Sequence, residues 1–370
     1  MSNSQKPNVC VVTKPSTEDS YAEPIYNFCT ILQPSADDLY LISGDTVLQD
    51  SRADRIKGIG LSDGSYTGQR YLDFVLIQFH ICYQLLRLRK RIDLVYFHKG
   101  VMALALPVLF ARLLHVKSCV IKLSDFYSNR DLTRYSSTYI SIVSLLQWLS
   151  FWSADAAVVF SEQEVDSVPT ECVFVSFSNY IDFDTFTIET PISERKFDIG
   201  FVGRFTEIKG VELFVEAAKE IIKDNPDTHV VLIGDGPLLD TIKQSVTDIE
   251  QIQLYGWIDY EQLPNKYNQI QFLFAPSKSE GLPTVLLEAM GCGTIPISTA
   301  VGSIDEIVDH GVNGYLMNNS SKNEMHKIYD KIKSLENTKK LSETTRESVI
   351  ENYSKDAAQQ RFKIIMEELN

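Results

Sequence analysis

Residues 270–302, IQFLFAPSKSEGLPTVLLEAMGCGTIPISTAVG, decide the fold class. Residues 270–275 form a short apolar run ending at Pro276, and residues 294–299 form a second; such runs suit parallel strands buried on both faces. Between them, Pro283 suits a first helical turn, where its missing N–H costs nothing, and Gly291 and Gly293 supply the C-terminal stop. The unit reads strand, loop, helix, strand. It carries two carboxylates, Glu280 in the loop and Glu288 about one and a half turns inside the helix. Glu280 falls just beyond the carboxyl end of a strand, where open parallel sheets bind ligands, and the N–H groups between Gly281 and Val285 open a helix that favours a phosphate or polyol. Glu288 shares a face with Thr284, opposite the apolar Val285, Leu286, Ala289 and Met290. A carboxylate there can accept hydrogen bonds from a vicinal diol such as a ribose. The competing reading is two surface glutamates on a helix that merely packs.

The flanking sequence repeats the same alternation. Strands are expected at 8–13, 38–43, 55–60, 93–98, 119–125, 156–160 and 172–178, with helices at 24–32, 71–90, 101–114, 139–152 and 161–168. A polar, turn-rich stretch at 179–196 interrupts the series. It resumes with strands at 197–204, 229–234 and 252–256 and helices at 210–224, 238–246 and 260–267. Strands alternating with helices mean parallel, doubly wound sheets, so two Rossmann-like halves with a cleft between them are expected. The length of 370 residues suits two domains, here 1–185 and 186–354.

Composition narrows the function class. The formal charge of −14 argues against general nucleic-acid binding, which wants a basic face. Cys10, Cys29, Cys82, Cys119, Cys172 and Cys292 show no spacing of a zinc site or a disulfide framework, and they read as reduced, mostly buried thiols. The N-terminus has no basic segment followed by an apolar core, so a cytoplasmic protein is expected. Serines and Asp155 interrupt the hydrophobic stretch 139–160, which reads as a core helix followed by a strand; a helix lying on a membrane is the alternative. The run Arg87 to Arg91 ends an amphipathic helix, where cations are favourable for local reasons. The sharper reading is contact of Arg87, Arg89 and Lys90 with anionic lipid headgroups.

Residues 200–212, GFVGRFTEIKGVE, place Arg204 and Lys209 just past a strand. A guanidinium and an ammonium there can neutralise a diphosphate, the first by paired hydrogen bonds and the second as a mobile charge; otherwise they are solvated loop cations.

The order Glu280-Gly-Leu-Pro-Thr-Val-Leu-Leu-Glu288, followed by Gly-Cys-Gly and closed by Gly302, resembles the E-x7-E signature of family 4 retaining glycosyltransferases. VGR-x4-KG resembles that family's donor-diphosphate motif, and GDGP (234–237) and LYGWID (254–259) match further family segments. The resemblance implies the GT-B fold, with the last helix, within 355–370, crossing back to the first domain. It implies transfer of a hexose from a UDP- or GDP-sugar, with no metal or other cofactor, to a glycan or lipid-linked acceptor in polysaccharide, glycolipid or glycoprotein synthesis. Glu280 and His98 are then catalytic. Gly203, Arg204 and Lys209 hold the diphosphate, and Gly281 and Asp125 lie at the sugar. Glu288, Leu282, Pro283, Thr284 and Val285 bind nucleotide and ribose, and the backbone of Gly256, Trp257 and Ile258 reads the base. One departure stands out. Family members usually have a glycine-rich loop after the first strand, whereas residues 11–24 contain no glycine. A donor-binding pseudoenzyme of the same fold is therefore the alternative, and a sugar-nucleotide epimerase a more distant one.

Overall fold

The computed structural model describes residues 6–13, 22–44, 48, 56–61, 70–98, 104–121, 137–160 and 162–369. The chain divides into two compact units, residues 1–180 with 355–370 and residues 181–354.

The first unit is built on strands β1 (Val9–Thr13), β2 (Leu39–Ser43), β3 (Lys57–Gly60), β4 (Leu94–His98), β5 (Lys117–Ile121), β6 (Ala156–Val159) and β7 (Val173–Val175). They pair in parallel in the order β3-β2-β1-β4-β5-β6-β7. VCVVT, LYLIS and LVYFH are buried at every position because each face of the sheet has its own core. Val9, Val11 and Tyr96 meet helix α1 (Ala22–Leu32) on one side. Cys10, Val12, Val95 and Phe97 meet α2 (Arg70–Leu88) and α3 (Ala105–Leu113) on the other, with Phe151 of α4 (Ser137–Ser153) joining that core.

The second unit carries β8 (Phe197–Val202), β9 (Val230–Ile233), β10 (Ile252–Tyr255), β11 (Ile270–Ala275), β12 (Ile295–Thr299) and β13 (Tyr315–Met317). These too are parallel, in the order β10-β9-β8-β11-β12-β13. Its helices are α5 (Val211–Asp224), α6 (Leu239–Val246), α7 (Leu263–Tyr267), α8 (Thr284–Gly291), α9 (Ile304–Ile307), α10 (Lys322–Lys333) and α11 (Thr338–Tyr353). The final helix, α12 (Lys355–Leu369), returns to the first unit, where Phe362 meets Phe28 edge-on at 5.0 Å. Both units are thus Rossmann-like and doubly wound, with the strand order reversing between β1 and β4 and between β8 and β11.

Several expectations change in detail. The helix expected at 161–168 is a single 3-10 segment, Glu162–Ser167, and that at 260–267 is a 3-10 turn followed by the short α7. The stretch 179–196 is more than a connection, because Phe183 and Phe186 are buried and Arg346 donates to both of their carbonyls. Arg195 is buried as well, donating to the carbonyls of Thr190, Ile270 and Cys292 and to the Thr294 hydroxyl. Burial lowers its pKa to about 10, which leaves the guanidinium charged and fully engaged. Helix α4 is not the expected core helix: it buries Ser150, Phe151 and Ser153 and exposes Ile142, Leu145, Trp148 and Trp152. The six cysteines are free thiols, five buried and Cys172 half-buried. The glycine-free loop lies mostly outside the described residues, as does Asp125.

Candidate active site

The site residues of the second unit gather at the carboxyl ends of β8 and β11, the position where its strand order reverses. Phe205, fully buried against Phe201, anchors the loop after β8. Its N–H donates to the Asp235 carbonyl at 2.8 Å, and its own carbonyl accepts from the Leu238 N–H. Gly203 donates to the Ile233 carbonyl at 3.0 Å. Gly234 has to be glycine, because a Cβ there would stand 1.9 Å from the Gly203 carbonyl oxygen. The loops after β8 and β9 are therefore locked together, and Arg204, between the anchored Gly203 and Phe205, is turned out to solvent.

The same loop continues to Lys209, and a second lock joins it to the loop after β11. The Lys278 N–H donates to the Ile208 carbonyl at 2.8 Å, and the Lys278 ammonium pairs with Glu207. Lys209 thereby reaches Glu280, with its Nζ 2.7 Å from both carboxylate oxygens. The Glu280 side chain is only 10% exposed, and Lys209 34%. From the other side, the Ser303 hydroxyl donates to the Gly281 carbonyl at 2.8 Å. Gly302 has φ 63°, and a Cβ on it would lie 2.1 Å from the Glu280 carbonyl oxygen. The loop bearing Glu280 is thus fixed along its backbone, while the space beside Gly281 is open enough for a Cβ to meet nothing within 4 Å.

Glu288 refutes the surface-glutamate alternative for the helix: it is 6% exposed on α8. The Tyr267 hydroxyl, itself buried, donates to its Oε2 at 3.0 Å. Burial, with the Glu288 charge adding to it, pushes the Tyr267 phenol well above its usual pKa, so that it remains a donor. Pro283 caps α8 rather than standing within its first turn. Tyr267 was not expected in the site; its place depends on α7 packing under α8, for which local sequence carries no signal. Gly302 closes the loop as its position in the sequence suggested, whereas the hydroxyl of Ser303 was not foreseen.

Beside these groups lies a pocket of about 480 Å³, lined by Gly203, Arg204, Asp235, Trp257, Ile258, Tyr267 and Val285 among others. Trp257 is 77% exposed, which excludes a place in the core. Gly256 accepts from the Gly234 N–H, and a Cβ on it would meet nothing within 4 Å. Leu282 and Thr284 are half-buried at the start of α8. A largely apolar pocket with a cation at its edge and a buried carboxylate behind one wall suits a flat heterocycle, a polyhydroxyl ring and a phosphate. No group of three or more His, Cys, Asp or Glu gathers as a metal site among the described residues.

His98 belongs to the first unit. It ends β4, with Thr13 of β1 and Ile121 of β5 as its register partners. The ring is 4% exposed, 5.2 Å from that of Phe28, and its Nε2 has no hydrogen-bond partner among the described residues. Burial lowers its pKa to about 4, so the imidazole is neutral at pH 7. An unpaired buried ring nitrogen at the carboxyl end of a central strand is costly to keep without a ligand to meet it.

Residues 182–355 match the family model for glycosyl transferases group 1. That match covers the whole constellation just described in the second unit, though just under half of the chain. An uncharacterized glycosyltransferase of Methanocaldococcus jannaschii is 34% identical over 163 residues, 43% of this chain and 44% of that protein. The N-acetyl-alpha-D-glucosaminyl L-malate synthase of Bacillus anthracis is 30% identical over 181 residues, 48% and 47% of the two chains. The chain thus spans less than half the length of either relative. Among solved structures, Anabaena HepE in complex with UDP superposes with a TM-score of 0.76 at 15% identity, covering 98% of this chain and 100% of that one. The same protein with UDP-glucose gives 0.73 at 16% identity, covering 98% and 100%. The likeness establishes the architecture: the fold is GT-B.

Proposed function

We propose that the chain is a retaining glycosyltransferase of family 4 type, moving a hexose from a UDP- or GDP-sugar to a glycan or lipid-linked acceptor in polysaccharide, glycolipid or glycoprotein glycan synthesis. One arrangement carries the proposal. The Lys209–Glu280 pair and the Tyr267-held Glu288 stand on the same strand-end loops and helix that line a pocket with Arg204 at its edge.

In this scheme the nucleoside fills the pocket against Ile258 and Val285, its ribose hydroxyls donate to Glu288, and Arg204 and Lys209 take the diphosphate. As the bond to the anomeric carbon breaks, negative charge grows on the departing diphosphate, and cations beside it stabilise that charge more than the ground state. These two side chains supply the positive charge, so the scheme needs no metal ion. Glu280 and the Gly281 backbone face the sugar, whose developing positive charge the carboxylate favours. His98 is assigned the second catalytic role, as a neutral ring that hydrogen-bonds the sugar through its unpaired Nε2. On the acceptor side, the exposed Arg87, Arg89 and Lys90 are assigned a contact with anionic lipid at the cytoplasmic face of a membrane.

The test uses the purified full chain with UDP-glucose first, the ligand of the Anabaena fold neighbour, then other UDP- and GDP-hexoses. Release of the nucleoside diphosphate, with the anomeric configuration of the product read by NMR, is the expected result. Donor binding with neither hydrolysis nor transfer makes the chain a pseudoenzyme of this fold, a changed sugar on an intact donor makes it an epimerase, and failure to bind any nucleotide removes the donor site itself.

A further inference from the structure

Among the described residues seventeen large hydrophobic side chains are exposed, and twelve of them lie on α2, α3 and α4 of the first unit. These helices are neighbours, with α3 packing against both of the others. Along α2, Leu72, Val75, Leu76, Phe79, Tyr83 and Leu86 recur at helical spacing on the outer side. Three of its polar residues, Asp73, Gln78 and Gln84, are buried instead. On α3, Leu109 and Leu113 are exposed, the latter at 68%. On α4, Ile142, Leu145, Trp148 and Trp152 point outward while Ser150 and Ser153 turn inward, their hydroxyls donating to the Leu146 and Leu149 carbonyls. A helix facing water on one side has the opposite order. The inward polar groups have structural work, since Gln78 Oε1 accepts the Leu106 N–H at 3.2 Å and ties α2 to the start of α3. Scattered exposed leucines need no explanation, but a continuous face on three helices does.

Charge identifies what covers it. The chain has 49 acidic residues, yet the sequences of α2, α3 and α4 contain one, Asp73, and it is buried. Exposed cations cluster at the end of α2, at Arg87, Arg89, Lys90 and Arg91. At the end of α3, the Arg112 guanidinium lies 5.4 Å from the Trp152 ring centre and donates to the Trp152 carbonyl. Trp148 and Trp152 are stacked, centroids 6.0 Å apart. Apolar side chains bordered by tryptophan and arginine match the chemistry of a bilayer interface, and no helix among the described residues is long and apolar enough to cross a membrane. A second copy of the chain would bring to these cations a face that carries no exposed acid among its described side chains.

We propose that α2, α3 and α4 form one membrane-docking face, which seats the first unit on an anionic bilayer. Its apolar side chains enter the boundary between headgroups and acyl chains, and its basic end meets lipid phosphates. This extends the cation contact assigned above to a built apolar surface, and it stands without the transfer activity. The experiment is flotation of the full chain with vesicles of phosphatidylglycerol mixed with phosphatidylcholine, and with phosphatidylcholine alone. The parent chain floats with the anionic vesicles, and Trp148 and Trp152 emission shifts to the blue in a Trp257→Phe background. Phe79→Gln combined with Trp148→Gln lowers partitioning about tenfold or more, with circular dichroism unchanged because both side chains are exposed. Arg87→Glu, Arg89→Glu and Lys90→Glu together lower it about a hundredfold on the anionic vesicles. The proposal is overturned by a parent chain that does not float, or by flotation that the charge reversals abolish and the apolar pair leaves untouched. It is equally overturned by a lipid-free dimer that the apolar pair converts to monomer, which assigns the face to a second copy.

Discussion

Tyr267→Phe removes one oxygen from the interior of the second unit and leaves the ring in place against Phe186, 6.1 Å away between centroids. No cavity larger than a hydroxyl forms, so the cost isolates the hydrogen bond to Glu288. A hydrogen bond to a charged group is worth about 1.5–3 kcal/mol, and the carboxylate that loses it stays buried. For a unit of this size about 2 kcal/mol lowers the unfolding midpoint by roughly 4–8 °C, measurable by calorimetry. The double-mutant cycle with Glu288→Gln sharpens the test. Against a neutral amide the same phenol is worth about 1 kcal/mol, so Tyr267→Phe costs less in the Glu288→Gln background and the two changes are not additive. Ligand binding gives an independent readout, because a carboxylate freed from Tyr267 holds the ribose less well. UDP affinity therefore falls more than that of 2′-deoxy-UDP. A Tyr267→Phe midpoint within about 1 °C of the parent, with an additive cycle, refutes the claim that the phenol holds this carboxylate.

Arg204→Ala and Lys209→Ala each weaken UDP about tenfold or more while uridine affinity is unchanged, as calorimetric titration reports; equal losses for both ligands place the effect outside a diphosphate site. Gly302→Ala forces a side chain into a left-handed conformation at about 1–2 kcal/mol and drives its Cβ onto the Glu280 carbonyl. Turnover falls with circular dichroism unchanged, and normal turnover removes the case for a rigid Glu280 loop. His98 contributes a pH dependence whose sign follows from its lowered pKa of about 4. The unfolded imidazole takes its proton near pH 6.5 and the folded one near 4, so stability is full above 6.5 and declines as pH falls through that window, by about 3 kcal/mol in all. Denaturant titrations of His98→Gln show a smaller decline between pH 7 and 4 than the parent; identical slopes contradict a neutral buried ring.

The apolar runs at 270–275 and 294–299 carried the fold class because a strand buried on both faces leaves its neighbours few options: the polar, glycine-bearing residues between such runs must be loops or helix ends. The same logic located Arg204 and Glu280, which stand in the loops that leave β8 and β11, two and five residues past the strand ends. It did not reach residues 303–354, where β13 and the amphipathic helices α10 and α11 went unread. Signals were present there. Ser321 caps α10 by accepting the Glu324 N–H, and Met325, Ile328, Tyr329 and Ile332 recur at helical spacing behind it. Helix α4 departs from its expected core position for a different reason. Apolar periodicity shows that a helix has an apolar face without saying whether protein or something else covers it, and only the inward Ser150 and Ser153 settle the direction for α4. Tyr267 and Glu288, 21 residues apart, meet through packing that no local pattern encodes.

The Lys209–Glu280 pair shows what such packing adds to a motif. Its members are 71 residues apart and meet because β8 and β11 are adjacent and the loops behind them are stitched at Ile208–Lys278. The family resemblance implies a phosphate for Lys209 and a sugar for Glu280; in the fold the two neutralise each other across 2.7 Å. Neutralising a carboxylate that is only one-tenth exposed avoids most of the cost of burying its charge. It also makes the two roles depend on each other. In the proposed scheme a diphosphate arriving at Arg204 competes for the Lys209 ammonium, and the charge it draws away is charge that Glu280 no longer has cancelled. The carboxylate then bears fully on the sugar only when the phosphates that will leave are already held, so donor capture and activation of the anomeric carbon follow from one exchange of partners.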